Sequence, residues 1–357
     1  MIKKITIRIL VVFSFTCLLA CNAENSSENE AFDVLNYHRT FVNTIIIPAT
    51  AAFVLDVKNL KEATSNFALN TNEENILILR NLWKSTAISF SKTEIGNLGD
   101  IATSAIYVSI YSWGANEEKI EEFIASTEAI EQNVINGLPT KTRGLSAIEY
   151  LLFNADITAT VTSFSNQRRI DFLLALSENL LLKSTSLQEQ WQNYSTSFVN
   201  NTTTGIHGSV NLIVNQLNVL LENLVRFKIG EAAGIENSTA KNSELLQAYK
   251  SEISLQIIKE NIAAVKAVYY GDGEGLDVYV NTITTTEDIN DAIASAFLAI
   301  ENNINSLSNT TLKYAIENNN SVVNELYHHI KYLIILIKVD VASTLSLTVT
   351  FTDNDGD

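Results

Sequence analysis

The stretch Arg143-Gly144-Leu145-Ser146-Ala147-Ile148-Glu149-Tyr150-Leu151-Leu152-Phe153 decides how this chain is read. A glycine ends one segment, and an amphipathic helix starts from it. Leu145, Ile148, Leu152 and Phe153 recur at helical spacing and face an interior, while Ser146 and Glu149, three residues apart, share an adjoining face. Glu149 therefore stands among apolar neighbours. A carboxylate so placed must be paired, metal-bound or protonated, because an isolated charge in a medium of low dielectric constant is expensive.

Outward from this stretch the pattern stays helical. Only 2 prolines and 13 glycines interrupt 357 residues, 46% of the chain is hydrophobic and 18% charged, which describes a globular and not a disordered chain. Its length is generous for one helical core and comfortable for two. The sequence predicts helices over residues 31–48, ended or kinked by Pro48, then 49–68, and one from Glu73 carrying Trp83. Ser91 to Asp100, with Gly96 and Gly99, reads as a loop holding Glu94; Ala102–Trp113 and Lys119–Val134 read as shorter helices. Residues 154–166, rich in Thr and Ser, carry no helical stripe and read as a domain linker. Long helices then follow over Arg168–Val199, Val210–Phe227, Glu244–Tyr270, Thr286–Leu307 and Ser321–Val341, with a loop at Ile229–Ser243. The expected class is all-α, in antiparallel bundles joined by short loops.

The first 20 residues have a basic start at Lys3 and Lys4 and an apolar body, as a secretory signal does. Leu18-Leu19-Ala20-Cys21 resembles a bacterial lipobox, in which Cys21 would be acylated; an ordinary cleaved signal with an incidental cysteine is the alternative. The other cysteine, Cys17, lies inside the signal, so the mature chain can build neither an internal disulfide nor a cysteine metal site. Residues 22–30 read as an acidic tether. The expected setting is the cell envelope, with the protein lipid-anchored to the outer membrane on its periplasmic or surface face. With 24 basic and 40 acidic residues the net charge is −16, and signal removal deletes Lys3, Lys4 and Arg8 without deleting an acid. Such a surface repels phosphate backbones, which argues against a nucleic-acid partner.

The Gly144 stretch resembles the signature of the imelysin-like family, Gly-x-His-x-x-Glu followed by Tyr-Leu-Leu and an aromatic residue, with Ser146 standing where the family has histidine. Further landmarks follow in the family's order: Trp83, Glu94 near Gly96, Arg226 to Gly230, Gln247 to Leu255, Tyr270-Gly271, Gly275-Leu276, and the ending from Asp340 to Asp357. The family comprises insulin-cleaving-type membrane peptidases and relatives of iron-uptake lipoproteins. The resemblance implies two helical bundles, at residues 31–155 and 165–345, with the motif near the cleft between them and an acidic tail at 346–357. It also implies a site built on Glu149 with Ser146, Glu94, Ser251 and Ser254, and Gln247 where the family more often has an acid. Iron or another divalent metal, or a small metal-associated ligand, is the implied guest, and envelope or iron-uptake proteins the implied partners.

Each residue also has a plainer reading. Glu149 could bond a nearby arginine or backbone N–H, Ser146 could fill a gap, and Ser251 and Ser254 could bond back to helix carbonyls. Trp83 could be core. Serine is a poor zinc ligand, which weakens any transition-metal site here. No His-Glu-x-x-His occurs, His38, His207, His328 and His329 are scattered, and no serine-hydrolase motif surrounds Ser146. The expectation is a binding protein with no catalytic residue, with a metallopeptidase or a scaffold that has lost its ligand as the alternatives. Asp353-Asn354-Asp355-Gly356-Asp357 resembles the opening of a calcium loop, beside the plainer reading of an acidic end.

Overall fold

The computed structural model describes residues 31–236, 240–284 and 286–350, and among them there are helices and no strands. The signal, Cys21, the tether and the acidic residues of the tail lie outside the described residues. The expected all-α class holds, and from Phe32 onward the chain clusters as a single compact unit.

Helix α1 runs unbroken over Val34–Leu69. Pro48 neither ends it nor divides it in two. A π turn over Phe41–Ile46 directly precedes the proline, and the Ile47 N–H reaches back five residues to the Val42 carbonyl. That wider turn gives room to a ring that would otherwise press on the carbonyl four residues before it. By length and composition α1 could cross a bilayer, but its aromatic face is spoken for. Phe53 lies 5.3 Å from Phe90 of α2 (Glu73–Thr93), and Phe41 lies 6.1 Å from Trp191 further along the chain.

After α2 come a 3-10 turn at Glu94–Gly96 and two short helical turns, Gly99–Thr103 and Ile106–Ile110, parted by Ala105 at φ +53°. The helix expected at Lys119–Val134 is shorter: α3 covers Glu117–Ala125, and a separate turn follows at Gln132–Gly137. The signature helix α4 spans Gly144–Phe153. Residues 154–166 are not the irregular linker expected, because Ile157–Ser163 forms α5. The Asp156 side chain caps it, and the hydroxyls of Thr160 and Thr162 bond to carbonyls one turn back instead of breaking the helix.

Helix α6 (Gln167–Asn200) packs along α1 and α4. It is followed by α7 (Ser209–Asn223), which continues as a π segment, Leu224–Gly230. Next come α8 (Ser254–Tyr270), α9 (Leu276–Ile283), α10 (Asp288–Ser306) and α11 (Ser321–Ile335), the last extended by a π segment at Leu336–Val341. Helices α1, α2, α4 and α6 form one group, α7, α10 and α11 another, and α8 touches both through α2 and α10.

The largest departure from the sequence reading precedes α8. Residues 244–253 are not helix: a 3-10 turn covers Ser243–Leu245, and Ala248 and Glu252 take left-handed φ values of 58° and 61°. Gln247 and Ser251 consequently sit on an irregular loop laid against α4.

Candidate functional site

Gly144 begins the site. Its φ is +63°, and a Cβ there would lie 2.2 Å from the Ile110 carbonyl oxygen, so only glycine lets α4 start this close to the preceding chain. Ser146, in the first turn of α4, donates its hydroxyl to the Ser112 carbonyl. The same close approach buries Trp83, whose indole N–H donates to the Leu145 carbonyl at 3.0 Å. Trp83 is core and does not line the cavity.

One turn further on, Glu149 is 7% exposed. Its Oε1 accepts both the backbone N–H of Ser251 at 2.9 Å and the Ser251 hydroxyl at 2.8 Å. Burial pushes the Glu149 carboxyl up to about 7, against the downward pull of the two Ser251 hydrogen bonds and the charge of Lys250. The resulting group titrates near neutrality.

Glu149 borders a cavity of about 280 Å³ between α4 and the 242–250 loop. Glu117 and Glu244 also line it, as do Ser146, Tyr150 and Lys250. Lys250 pairs with Glu117 at 2.8 Å and donates to Asn154 at 2.8 Å. The Tyr150 hydroxyl donates to Glu121, which Arg169 also holds, at 2.8 Å in each case.

Of the other expected site residues, Ser251 meets Glu149, but Ser254 donates to the Gln247 carbonyl at 2.5 Å and so pins the loop. Gln247 is buried with its Oε1 lacking a hydrogen-bond partner among the described residues, and it does not line the cavity. Glu94 belongs to a separate buried cluster. Its Oε2 lies 2.7 Å from Lys228 Nζ and accepts from Asn261 Nδ2 at 2.8 Å, while Lys228 also donates to Asn261 Oδ1 at 2.7 Å. Lys228 is 1% exposed, and burial lowers its pKa despite the Glu94 charge.

Sequence reasoning did not find Lys228 or Asn261, nor Tyr111. The Tyr111 phenol is held far above its usual range by burial and by the charges of Glu149 and Glu94, so it is within electrostatic reach of both clusters. Lys228 lies within the Arg226–Gly230 landmark without having been given a role there, and for Tyr111 the aromatic run near Trp113 is the hint the sequence offers. His38 is structural, its Nδ1 3.0 Å from the Val199 carbonyl in the core.

The donor set can be tested against a metal. Among the described residues no three His, Cys, Asp or Glu side chains gather as a ligand group. Glu149 has one oxygen already taken by two donors, the Ser146 hydroxyl is committed to a carbonyl, and Glu94 is neutralised by Lys228. These residues do not fit a transition metal held by the protein alone.

Comparison with known proteins gives three matches. The family model described as peptidase M75, imelysin, matches residues 46–334. An iron-regulated protein A precursor from Parabacteroides distasonis ATCC 8503 superposes with a TM-score of 0.74 at 16% identity, covering 87% of this chain and 94% of that one. An imelysin-like protein from Psychrobacter arcticum 273-4 also gives 0.74 at 16% identity, covering 90% and 99%. No curated protein matches in sequence.

Proposed function

The chain belongs to the imelysin family, and from that premise we propose that it is an envelope lipoprotein that binds a small cationic ligand in the cavity at Glu149 and does not hydrolyse peptides. The observation that carries this reading is the buried carboxyl of Glu149, its Oε1 fixed by Ser251, on the wall of a cavity that Glu117 and Glu244 also line. Three carboxylates face one ammonium, Lys250, so the cavity favours positive charge. A metal ion would have to bring part of its own coordination shell, because the protein supplies too few donors. The Parabacteroides relative is named for regulation by iron, which speaks for an iron-linked setting and not for a ligand set. Against peptide hydrolysis, Ser146 stands where the family has histidine, and its hydroxyl donates to the Ser112 carbonyl and not to a base.

A cation bound at Glu149 needs the carboxylate, so binding should tighten as pH rises from about 6 to 8 and release up to about one proton per ligand. Calorimetric titration with calcium, iron(II), zinc and putrescine, in two buffers of different ionisation enthalpy, measures both quantities. Heat that disappears in Glu149→Gln is the expected outcome; silence from all four probes, or equal binding by the variant, rejects the reading. Chelator-sensitive fragments from a denatured protein substrate would restore the peptidase. Anchoring through Cys21 is tested separately: Cys21→Ala should move the protein from the membrane pellet to the soluble fraction, and retention in the pellet would remove the lipid.

A further inference from the structure

The Glu149 cavity has a neighbour. A second, more open cavity of about 450 Å³ is bordered by Glu252, by Lys313 and Glu317 of the short helix Leu312–Glu317, and by Tyr314, which is 60% exposed. Two contacts join it to the first. Lys313 Nζ stands 4.4 Å from the centre of the Tyr249 ring, and Tyr249 lines the Glu149 cavity. Glu317 accepts the Ser243 hydroxyl at 2.7 Å, and the next residue, Glu244, lines the Glu149 cavity as well. Tyr249 therefore stands where the two cavities meet, on the loop that bends at Ala248 and Glu252 with left-handed φ.

The acids along this seam are spread out. Glu117, Glu149 and Glu244 border the first cavity, Glu252 and Glu317 the second. Among the described residues no three of them gather as ligands of a single ion. A metal concentrates its charge at one point and needs donors that converge there. Carboxylates strung along a seam instead suit a ligand whose positive charges are themselves spaced. The protein's own lysines show which kind of charge these walls accept. Lys250 Nζ lies 5.6 Å from the centre of the Tyr150 ring and 2.8 Å from Glu117. Lys313 repeats the arrangement with Tyr249 and, at 3.4 Å, with Glu252. In both places a tyrosine ring and a glutamate attract one alkylammonium, while its methylene stem covers apolar surface.

We propose that the ligand of the Glu149 cavity is a linear polyamine, with one ammonium held by Glu149 and Glu244, a second held by Glu252 and Glu317, and the methylene chain between them lying across Tyr249. The inference rests on the cation-binding reading of the Glu149 cavity, and adds to it the ligand class and a second half of the site. Lys313 competes for the second position, because it already stands beside Tyr249 and Glu252. A guest with one ammonium fills the first cavity alone, so affinity rises with the number of nitrogens.

Calorimetric titration with spermidine, putrescine, butylamine and calcium tests this. Spermidine should bind at least about five-fold more tightly than butylamine, with putrescine between them. Glu252→Gln combined with Glu317→Gln should bring spermidine close to butylamine. Lys313→Gln should tighten spermidine, a gain that a purely structural lysine would not give. Asp288→Asn combined with Asp291→Asn removes the same charge from the exposed start of α10 and should change none of these affinities. Spermidine that binds no more tightly than butylamine, or that is weakened equally by the α10 pair, overturns the polyamine. Calcium binding that disappears in Glu149→Gln, with no amine bound, overturns it too and leaves the cation reading of the cavity standing. Silence from all four probes removes both.

Discussion

At the scale of single residues, Glu149 concentrates the chemistry. Its folded-state carboxyl is raised to about 7, whereas unfolded it ionises near 4.5. Below the lower value both states are protonated and the residue costs nothing. Between the two the native state holds the proton more tightly, so stability declines as pH rises, and above about 7 the full penalty is in place. At 1.36 kcal/mol per unit the penalty is roughly 3 kcal/mol at most. Glu149→Gln keeps the shape and can still accept from Ser251, so it should abolish this part of the pH dependence. Urea melts of the two proteins at pH 4.5, 6 and 8 should diverge steadily across that interval. A constant difference between them would mean that Glu149 is ionised throughout. The sequence showed the burial, because Leu145, Ile148 and Leu152 flank the acid at helical spacing. Spacing did not give the partner, because Ser251 approaches from about a hundred residues away; the family resemblance alone put Ser251 in the same site.

At the scale of elements, two non-α turns aim the buried ion pair. The 3-10 turn at Glu94–Gly96 carries the acid inward, and the π segment Leu224–Gly230 places Lys228 against it. With one partner removed, the other is a charge left in the core. Glu94→Ala should therefore cost about 3–5 kcal/mol, while adding Lys228→Met should recover most of the loss by removing the orphaned ammonium. Denaturant midpoints of the two single variants and the double variant form a thermodynamic cycle that reads this coupling. If the double variant is as unstable as the two single losses added, the pair is not a unit. The same scale explains where the sequence pattern misled. Residues 244–253 are good helix formers at helical spacing, yet Ala248 and Glu252 adopt positive φ without a glycine to announce it. The gain that overrides propensity is local and visible: the loop satisfies Glu149 with two donors and the Gln247 carbonyl with a third. Pro48 misled in the opposite sense, since a π turn upstream absorbed the break that the proline foretold.

For the molecule as a whole, helix class and order were legible because long stripes of apolar residues admit few alternatives. The pairing of helices was not, because stripes state which face is buried and not against what. Helix α8 shows the consequence. It packs on α2 in one group and α10 in the other, with Asn261 bonded to both the Ser91 carbonyl and Glu94 across the contact. Neither group can release α8 without exposing Ile257, Ile258, Val265 and Val268 and breaking the Lys228 cluster. The two groups should therefore unfold together. Trp83, Trp113 and Trp191 all lie in the earlier part of the chain, so tryptophan fluorescence follows the first group, whereas far-ultraviolet circular dichroism follows every helix. Coincident midpoints and slopes from the two signals are expected in guanidinium chloride. A fluorescence transition that precedes the loss of helicity would mean that α8 stays with one group while the other melts, and the Glu94–Lys228–Asn261 contact would then be too weak to couple them.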